Sequence, residues 1–420
     1  MTMPELKIIS KRVGHINPLS IDDYLASEGY QGLEQALKMS RQGVIDEVKA
    51  AYLRGRGGAG FPTAAKMASL AYETDPEKYV ICNADEGEPG NFKDRYLMEN
   101  DPHQIIEGMA IVAYATRATR GYVYIRGEYD LPIKTMQWTI EEAEKRGYLG
   151  QQIMGTDFDF TIEIRSGAGS YVCGEEFALI ESIEGKPGRT RVKPPFPTSK
   201  GVFGKPTLIS NVETFANVPV ILTMGGAAYA KIGTKTSTGT KLVCLSGNVK
   251  HRGVFEIPFG MPIRTVIDEL GGGVAGGRKI KMVQLGGACG PIIPSFMLDM
   301  AIDYERFEEF ESKTGAGAII VIDDRFDLFR ILLRIVKFFG HESCGKCVPC
   351  REGNAQLELM IAKFIDGQAT TQDLLSLESL ARVMHQTSLC GLGQTSPTSI
   401  IAALRYFRET FLDRIEYPGI

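Results

Sequence analysis

The sequence predicts an α/β protein that ends in a helical bundle, and two patterns lead to this prediction. Between residues 50 and 225, short apolar strands alternate with helical segments, which is typical of an α/β domain. From Phe326 to the C-terminus the apolar spacing is helical throughout, with loops at a cysteine-rich turn and around Cys390. We therefore expect a helical bundle whose connections carry the cysteines.

Bulk composition limits the class of protein. With 420 residues, 44% of them hydrophobic and 23% charged, the chain is long enough for more than one domain. Its net charge of −4 gives no reason to expect nucleic acid or an anionic membrane as a partner. The N-terminus lacks the apolar core of a secretory signal, and no apolar run reaches the roughly 18 residues of a membrane span. Eight cysteines, four of them scattered singly, indicate a reducing compartment, so we expect a cytoplasmic protein without direct membrane insertion.

The elements of the α/β domain follow a polar N-terminal segment with helical spacing. Helices are expected at residues 64–72, 105–115 and 131–147, and strands at residues 79–83, 121–126 and 160–165. The proline-rich stretch Lys193–Thr198 is a candidate lid or wall, because prolines fix an extended segment without a strand partner. Residues 225–239 suggest a linker to a small strand-and-helix domain that ends near Asp323.

Four cysteines distinguish the C-terminal part. Cys344, Cys347 and Cys350 lie within one turn, and Cys390 is distant in sequence. Three thiolates in a tight turn with a separate fourth is the way proteins hold a 4Fe–4S cluster. A structural zinc site, which normally takes two separated Cys-x-x-Cys pairs, and unligated thiols remain as alternatives. A disulfide framework would need an oxidising compartment and a small domain.

A glycine-rich loop at residues 55–60 opens a helix. Glycines let the backbone approach an anion, and the helix N-terminus supplies oriented N–H groups. The spacing is neither the Gly-x-Gly-x-x-Gly of a dinucleotide site nor the loop of an NTPase, so a plain tight turn remains an alternative. Lys66, nearly two turns into the following helix, either adds positive charge over a flavin or phosphate or is a solvated lysine.

Two acidic loops suit ribose and amide ligands better than phosphates. Asp85, Glu86 and Glu88 follow an apolar strand, and Glu175 and Glu176 follow a second glycine loop. Carboxylates accept hydrogen bonds from ribose hydroxyls, flavin N–H or a carboxamide, with metal binding or solvation as the alternative. An acid at the adenosine ribose selects NAD over NADP, because it repels the 2′-phosphate.

Several short segments carry a resemblance to a known family, and they occur in order along the chain. They are Arg54–Pro62, Asn83–Gly90, Tyr171–Glu176, Glu184–Lys186, Lys193–Pro197, Asn211–Thr214, the Cys344–Cys350 turn and Cys390–Gly393. Together they closely resemble the NADH-binding flavoprotein subunit of respiratory complex I, NADH:quinone oxidoreductase. The same family includes NADH-oxidising subunits of soluble hydrogenases, formate dehydrogenases and electron-bifurcating complexes.

The resemblance implies a specific version of the α/β fold. It implies an N-terminal helical segment at residues 1–50 and a Rossmann-like FMN- and NADH-binding domain at residues 51–238. A small ubiquitin-like (β-grasp) domain of the soluble-ligand-binding type would follow at residues 239–324, and a four-helix bundle with the 4Fe–4S cluster at residues 325–420.

The resemblance also implies a set of ligand-binding residues. FMN would be held by Gly55, Arg56, Gly57, Lys66, Asn83, Asp85, Gly174, Glu175, Ser210, Asn211 and Thr214. NADH would contact Phe61, Glu88, Tyr171, Glu176, Lys193 and Phe196, with the two phenylalanines around adenine. Glu88 would position the nicotinamide and flavin, with no acid–base role required. Cys344, Cys347, Cys350 and Cys390 match the cluster ligands of the family one for one.

Three positions depart from the family pattern. Asn91 stands where threonine is usual, Ser69 where some members carry a third adenine-stacking aromatic, and Ser210 where asparagine is frequent. We therefore expect a thinner adenine stack and a less secure flavin contact at Ser210.

The implied activity is that of an NADH:acceptor oxidoreductase. NADH would give a hydride to FMN, and single electrons would pass to the cluster and on to a thioredoxin-like 2Fe–2S subunit and a further iron–sulfur subunit. In complex I the chain would lie at the cytoplasmic membrane as a peripheral subunit. The alternative is the NADH/NAD-linked flavin subunit of a soluble electron-bifurcating hydrogenase or an NAD-dependent formate dehydrogenase. The absence of extra cysteine-rich domains favours the respiratory subunit, and a non-catalytic scaffold is the alternative of a different class.

Overall fold

A computed structural model of the chain describes residues 5–310 and 315–415. These residues form two compact units. The first unit runs to Gly87 and adds Phe92–Val243 and Val254–Gly260, and the second contains Glu88–Asn91, Cys244–Gly253 and the chain from Met261 onward. Parts of the predicted segments 1–50, 239–324 and 325–420, namely residues 1–4, 311–314 and 416–420, lie outside the described residues.

The first unit is built from helices on a short parallel sheet. Its strands are β1 (Tyr79–Ala84), β2 (Arg120–Ile125), β3 (Thr161–Ser166) and β4 (Thr207–Asn211). Its helices are α1 (Ile21–Ala26), α2 (Gln31–Lys38), α3 (Arg41–Ala50), α4 (Thr63–Tyr72), α5 (Lys93–Asn100), α6 (Pro102–Thr116), α7 (Asp130–Lys145), α8 (Glu176–Ile183), α9 (Pro197–Lys200), α10 (Val212–Met224) and α11 (Gly226–Tyr229).

The order of the strands creates a crevice. The sheet has the order β3–β2–β1–β4, and every neighbouring pair is parallel. The chain moves outward on one side of β1 through β2 and β3, and then returns to place β4 on the other side. Ligands of open α/β sheets bind where the order reverses in this way, beside the carboxyl ends of the strands. The carboxyl ends of β1 and β4 meet there, with Asn83 paired in register with Asn211.

Apolar sequence explains why β1 and α6 lie at the centre. Strand β1 is apolar and buried from Tyr79 to Cys82, as expected for a parallel strand covered on both faces. Helix α6 is buried around its circumference, with Tyr114 as the one residue that is only partly buried. These elements anchor the sheet that carries the crevice.

The stretch at residues 225–239, predicted as a linker, is mostly irregular but packs on the first unit at its two ends. It contains the short helix α11, and Ser237 and Thr238 are buried. The hydroxyl of Thr238 donates to the carbonyl of Ala51 at 2.7 Å. The Gly, Thr and Lys content suggested an exposed connection, but small residues also allow close packing of a loop into a core.

A buried histidine in α6 makes the stability of the first unit depend on pH. His103 is 1% exposed, and its Nδ1 lies 3.0 Å from the hydroxyl of Tyr30. Burial, and then the nearby Arg12 cation, lowers the pKa of His103 to about 3. The unfolded chain binds a proton near pH 6.5 while the folded chain does not, so the contribution of His103 to stability falls as the pH drops below that value.

We expect the free energy of unfolding of the wild type to fall by about 2 kcal/mol more than that of His103→Gln between about pH 7 and pH 5. Burial raises the pKa of Asp101 to about 6 and that of Glu86 to about 7, which acts in the opposite direction but equally in both proteins. Denaturant unfolding at the two pH values measures the difference. Parallel pH dependences of the two proteins would contradict the assignment.

The second unit contains most of a mixed sheet and the C-terminal helices, whereas residues 240–243 and 254–258 of that sheet are counted with the first unit. The sheet strands are β5 (Thr240–Gly247), β6 (Gly253–Pro258), β7 (Ile280–Leu285), β8 (Ile292–Pro294) and β9 (Ala318–Asp323), in the order β6–β5–β9–β7–β8. β5 and β9 are parallel, whereas β7 is antiparallel to β8 and β9. The helices are α12 (Ile263–Thr265), α13 (Tyr304–Glu308), α14 (Leu328–Glu342), α15 (Val348–Asp366), α16 (Thr371–Thr387), α17 (Gly391–Thr395), α18 (Thr398–Tyr406) and α19 (Arg408–Leu412).

Aromatic packing joins the C-terminal helices. The rings of Phe329, Phe364 and Phe411 lie 4.9–5.3 Å apart between centroids, and all three are fully buried. Within the part of the chain that the structure describes, no helix is both long and apolar enough to cross a membrane. The helical character predicted from Phe326 onward is confirmed, and α14 and α15 are joined by the cysteine turn.

Candidate functional site

The crevice of the first unit gathers several of the residues expected to hold FMN. Asn83 and Asp85 lie at the carboxyl end of β1, and Ser210 lies near the end of β4. The Asn83 side chain donates to the carbonyl of Gly174 at 2.9 Å and accepts from the Asp85 N–H at 3.1 Å. This amide therefore connects the end of β1 to the second glycine loop.

The first glycine loop also reaches this crevice. The Arg56 N–H donates to the hydroxyl of Thr214 at 2.8 Å, which ties the loop to the first turn of α10. A Cβ on Gly57 would lie 3.1 Å from the Cβ of Asn211, and one on Gly174 would lie 3.6 Å from Asp85. Side chains at these glycines would narrow the crevice, so the glycines fit a loop that a cofactor approaches closely.

The side chain of Arg56 lies in the core next to the glycine loop. It is fully buried, and its guanidinium donates to the carbonyls of Arg54 and Thr238 at 2.9 and 2.7 Å and to the hydroxyl of Tyr229 at 3.2 Å. It also lies over the ring of Phe259, 4.7 Å from the centroid. These bonds show that the guanidinium supports the glycine loop, and the expected contact of Arg56 with FMN stays a prediction.

Lys66 reaches the end of β4 from helix α4. Its ammonium donates to the carbonyl of Ile209 at 3.1 Å and lies 5.8 Å from the ring centroid of Phe61. Burial lowers the pKa of Lys66, the nearby Glu176 carboxylate raises it, and the net shift is downward. A solvated lysine, which was the alternative, does not fit this position.

Helix α8 begins with the acidic pair Glu175 and Glu176. Glu175 is the N-cap, and its Oε2 accepts from the N–H groups of Phe177 and Ala178 at 3.0 Å each. Lys193 pairs with both acids, with a distance of 3.2 Å to Glu175 and a shorter contact to Glu176. Lys193 therefore connects the proline-rich segment to the start of α8. The same ammonium is the cationic partner of Glu176.

Two aromatic side chains are exposed near these elements, as adenine stacking would need. Phe61 is 52% exposed and Phe196 is 56% exposed, although large aromatics are usually buried. Tyr171 packs against the backbone of Gly87, where a Cβ would lie 3.1 Å from its ring. Ser69, at the position expected to thin the stack, bonds instead to the hydroxyl of Thr198 at 2.9 Å.

Glu88 belongs to the second unit, and a segment that the sequence left unassigned holds it. The Cys289 N–H donates to Glu88 Oε1 at 3.1 Å. A Cβ on Gly287 would lie 2.4 Å from the Glu88 Cγ, so only glycine fits there. The run of small residues around Cys289 was the available signal, but no pattern linked it to an acid some two hundred positions away.

Sequence reasoning missed a buried cation beside the crevice. Lys93 is fully buried at the start of α5, and its ammonium lies 3.1 Å from the Asn211 carboxamide oxygen. Asp94 is 3% exposed and accepts from the same carboxamide at 2.7 Å. In the sequence the pair lies among charged residues, which normally indicates a solvated helix face.

The cysteine turn lies between α14 and α15. Cys347 is the N-cap of α15, and Cys350 lies in its first turn, where the helix dipole favours negative charge. The Ser343 hydroxyl lies 3.2 Å from Cys350 Sγ, and the Asn354 amide approaches the same sulfur at 3.5 Å. Burial raises the pKa of Cys350, the Ser343 contact opposes this, and Cys347 and Cys344 raise it further.

The fourth cysteine lies in a loop that packs on this turn. Cys390 is the N-cap of α17. A Cβ on Gly393, three residues later, would lie 2.8 Å from the Cys350 Cβ and 2.7 Å from the Ser388 side chain. The glycine therefore lets the loop that carries Cys390 close onto the turn that carries the other three.

The chemistry of the four thiols fits a 4Fe–4S cluster. Among residues 5–310 and 315–415, no group of three His, Cys, Asp or Glu is drawn together as the ligands of one metal ion are. A cubane needs no such group, because each thiolate binds a different iron and the four sulfurs stand farther apart. Three thiols in one turn and a fourth thiol, from a loop that packs on this turn, supply that donor set.

Two family profiles match the chain. The Nuo51 FMN-binding domain matches residues 48–220, and the iron–sulfur binding region of NADH-ubiquinone oxidoreductase-F matches residues 330–414. The first match covers the crevice of the first unit, and the second contains all four cysteines.

Full-length relatives extend these matches. The chain is 45% identical to the F subunit of NADH-quinone oxidoreductase from Aquifex aeolicus over 404 residues, which covers 96% of this chain and 93% of that one. It is 45% identical over 407 residues to the HndC subunit of an NADP-reducing hydrogenase from Solidesulfovibrio fructosivorans, covering 97% and 83%. It is 39% identical to the F subunit of NADH-quinone oxidoreductase from Escherichia coli, covering 96% and 91%.

Solved structures of an NAD⁺-reducing [NiFe]-hydrogenase share the fold. The H₂-reduced structure superposes with a TM-score of 0.84 at 37% identity, and covers 93% of this chain. The air-oxidised structure gives a TM-score of 0.85 at 34% identity, and covers 99% of this chain. This chain spans 65% and 68% of the length of those hydrogenase chains.

Proposed function

Because the chain belongs to the family of NADH-binding flavoprotein subunits of NADH:quinone oxidoreductase, we propose that it is the NADH-oxidising subunit of a respiratory complex I. It is an NADH oxidoreductase that uses FMN and a 4Fe–4S cluster. The observation that carries the proposal is the crevice between β1 and β4, which is bordered by two glycine loops and lies in the segment that matches an FMN-binding domain.

The residues at this crevice have distinct roles towards FMN. FMN, when bound, accepts a hydride from NADH and releases its electrons one at a time. The glycine loop and the first turn of α10 bind its phosphate through backbone N–H groups, with Lys66 as a nearby cation. Asn83, Asp85, Gly174, Glu175 and Ser210 border the remaining part of the crevice, and Arg56 supports the loop.

Other residues bind NADH beside the flavin. Phe61 and Phe196 hold the adenine between exposed rings, and Glu176 accepts hydrogen bonds from the adenosine ribose. Tyr171 and Lys193 line the path of the dinucleotide, and Glu88 positions the nicotinamide. No side chain is required as a nucleophile or general base, so these groups act by orienting the two rings.

The cluster is proposed to be ligated by Cys344, Cys347, Cys350 and Cys390. Each thiolate binds one iron, and the amide of Asn354 and the hydroxyl of Ser343 lie near the Cys350 sulfur, where hydrogen bonds tune the reduction potential. A cluster is required because a two-electron hydride acceptor must be connected to one-electron carriers.

The finer architecture is part of the proposal. The sheet order β6–β5–β9–β7–β8, with the first and last strands in sequence adjacent and parallel, supports a ubiquitin-like (β-grasp) domain at residues 239–324. The long helices α14, α15 and α16 with α18 support a four-helix bundle at residues 325–420. The Rossmann-like domain would then take residues 51–238, after the N-terminal helical segment 1–50.

Partner subunits accept the electrons that leave the cluster. Relatives of this chain are subunits of multisubunit enzymes, which supports iron–sulfur partners. In complex I these partners would be a thioredoxin-like 2Fe–2S subunit and a further iron–sulfur subunit. The chain would then be cytoplasmic and peripheral to the membrane.

The alternative is the flavin subunit of a soluble hydrogenase, of the electron-bifurcating type among others, or of an NAD-dependent formate dehydrogenase. The identity to the hydrogenase protein HndC equals that to the quinone-linked relative from Aquifex aeolicus, at 45%. The co-purifying subunits distinguish the candidates, because quinone-linked, hydrogenase and formate partners are mutually exclusive.

We expect the protein reconstituted with FMN, iron and sulfide to show anaerobic bleaching of its flavin absorption when NADH is added near neutral pH. Hydride transfer to bound FMN produces this loss of absorption. Free FMN at the same concentration with NADH is the control. A reconstituted protein that binds FMN but shows no bleaching with NADH would rule out the enzyme and leave a non-catalytic electron-transfer protein.

A further inference from the structure

The Asn211 carboxamide has its orientation fixed from three sides. Its oxygen accepts from the Lys93 ammonium at 3.1 Å and from the Glu213 N–H at 3.0 Å, and the second bond caps helix α10. Its nitrogen donates to Asp94 Oδ2 at 2.7 Å. Rotating the amide by half a turn would aim its nitrogen at two donors and its oxygen at a carboxylate. The observed orientation is therefore the only one that these neighbours accept.

The partners that fix this amide are themselves held in place. Lys93 also contacts Asp94 at 2.6 Å and Glu213 at 2.9 Å, and all three side chains are at most 4% exposed. Burial lowers the pKa of Lys93, but the carboxylates of Asp94 and Glu213 outweigh it, so the pKa is raised and the cation persists. Glu213 is bonded in turn to Lys241 at 2.5 Å. Removing one partner of such a buried pair leaves an uncompensated buried charge and is strongly destabilising, so the network keeps its geometry.

The amide has one N–H left, and it lies beside the first glycine loop. An amide nitrogen carries two hydrogens, and Asp94 takes one of them. Within the described residues no side chain or carbonyl accepts the other. A Cβ on Gly57 would lie 3.8 Å from this nitrogen, so the remaining hydrogen is next to the loop. Both lone-pair directions of the oxygen are already used.

We propose that the buried Lys93–Asp94 pair is a positioning device that makes Asn211 a donor-only group towards the phosphate of FMN. The inference rests on the proposed FMN site and adds residues that do not themselves touch the cofactor. The end of the crevice at Asn211 is suited to an anion, because Asn211 lies at the N-terminus of the 13-residue helix α10, where the helix dipole is positive, and the glycine loop is bonded to the first turn of the same helix. A donor-only amide adds one hydrogen bond to the phosphate and no repulsive oxygen.

The test compares FMN with riboflavin, which lacks the phosphate. We expect Asn211→Asp, which keeps the size and the capping oxygen but presents a carboxylate, to lower the affinity for FMN about 10- to 100-fold relative to that for riboflavin. The charge-neutral variant Lys93→Met/Asp94→Asn is expected to lower the same ratio about tenfold, because the amide is then free to turn. Flavin fluorescence titration of the full chain loaded with its cluster measures both affinities.

Glu107→Gln is the matched control. Glu107 is another fully buried carboxylate of the first unit, and it holds the N–H groups of Tyr30 and Leu33 rather than the crevice. This variant is expected to lose stability but to keep the wild-type ratio of FMN to riboflavin affinity.

Three results would separate the possible failures. Equal losses for FMN and riboflavin in Asn211→Asp, or a ratio unchanged in the Lys93→Met/Asp94→Asn variant, would overturn the positioning role. The same shift of the ratio in Glu107→Gln would overturn it too. A wild-type protein that binds neither flavin would instead contradict the proposed function itself. Should the double variant not fold, Asp94→Asn takes its place, because it keeps the size of the side chain but removes the carboxylate that accepts from the Asn211 amide, and an unchanged ratio in this variant would overturn the role of the pair.

Discussion

Cys347→Ala is expected to abolish electron delivery to a one-electron acceptor while leaving the reduction of FMN by NADH intact. With three thiolates remaining, we expect transfer through the cluster to fall by more than about 100-fold, since the cubane loses one of its four protein ligands. Cys347 suits this test because its side chain makes no capping hydrogen bond, so its removal leaves the start of α15 unchanged. Iron content and the visible absorption of the cluster are expected to fall together.

The measurement separates the two halves of the reaction. Anaerobic bleaching of FMN by NADH follows the first half, and the reduction of a co-purified iron–sulfur subunit follows the second. Cys244→Ala is the matched control, because Cys244 is fully buried in β5 and lies outside the cysteine turn. If Cys347→Ala kept full iron content and wild-type transfer, Cys347 would not be a ligand.

Glu176→Ala is expected to raise the catalytic efficiency with NADPH by about tenfold or more, and to lower that with NADH. Two effects act in the same direction. Removal of the carboxylate ends the repulsion of the 2′-phosphate, and it also leaves Lys193 with Glu175 as its one remaining acidic partner of the pair. A lysine that keeps one acidic partner instead of two attracts the same phosphate more strongly.

Steady-state kcat/KM with both dinucleotides measures this switch. Glu181→Ala serves as the control, because Glu181 lies in the same helix and pairs with Arg191 at 2.5 Å instead of Lys193. The control is expected to keep the wild-type preference. Unchanged NADPH kinetics in Glu176→Ala would remove the proposed role of that acid in cofactor choice.

Residues whose chemistry is rare in their context were the most predictable. Three cysteines in one turn with a fourth far along the sequence have few functions other than binding an iron–sulfur cluster. The close approach of Gly393 to Cys350 is compatible with that prediction. The alternation of strands and helices between residues 50 and 225 also predicted an α/β domain, and the sheet found there is parallel. Sequence spacing predicted elements, but it could not give the strand order, on which the crevice depends.

Residues whose role depends on burial could not be predicted. Arg56 lies in a glycine loop and suggested a ligand contact, yet the fold turns its side chain into the core. Lys93 and Asp94 were not singled out in the sequence, where charged residues surround them, yet both are buried because α10 packs against α5. The sequence of a segment shows which groups it carries, whereas their partners come from segments more than a hundred positions away.

The cysteine turn lies at the first residues of a 19-residue helix, and this has a consequence for the maturation of the protein. Forming the first turn is the costly step of helix formation. In α15 the first turn contains Cys350 and follows Cys347, which occupies the N-cap position. Insertion of the inorganic core would therefore fix the backbone where nucleation is most difficult. Insertion of the cluster and formation of the first turn of α15 then become one cooperative event. In protein produced without iron, the first turn of α15 is expected to be poorly formed.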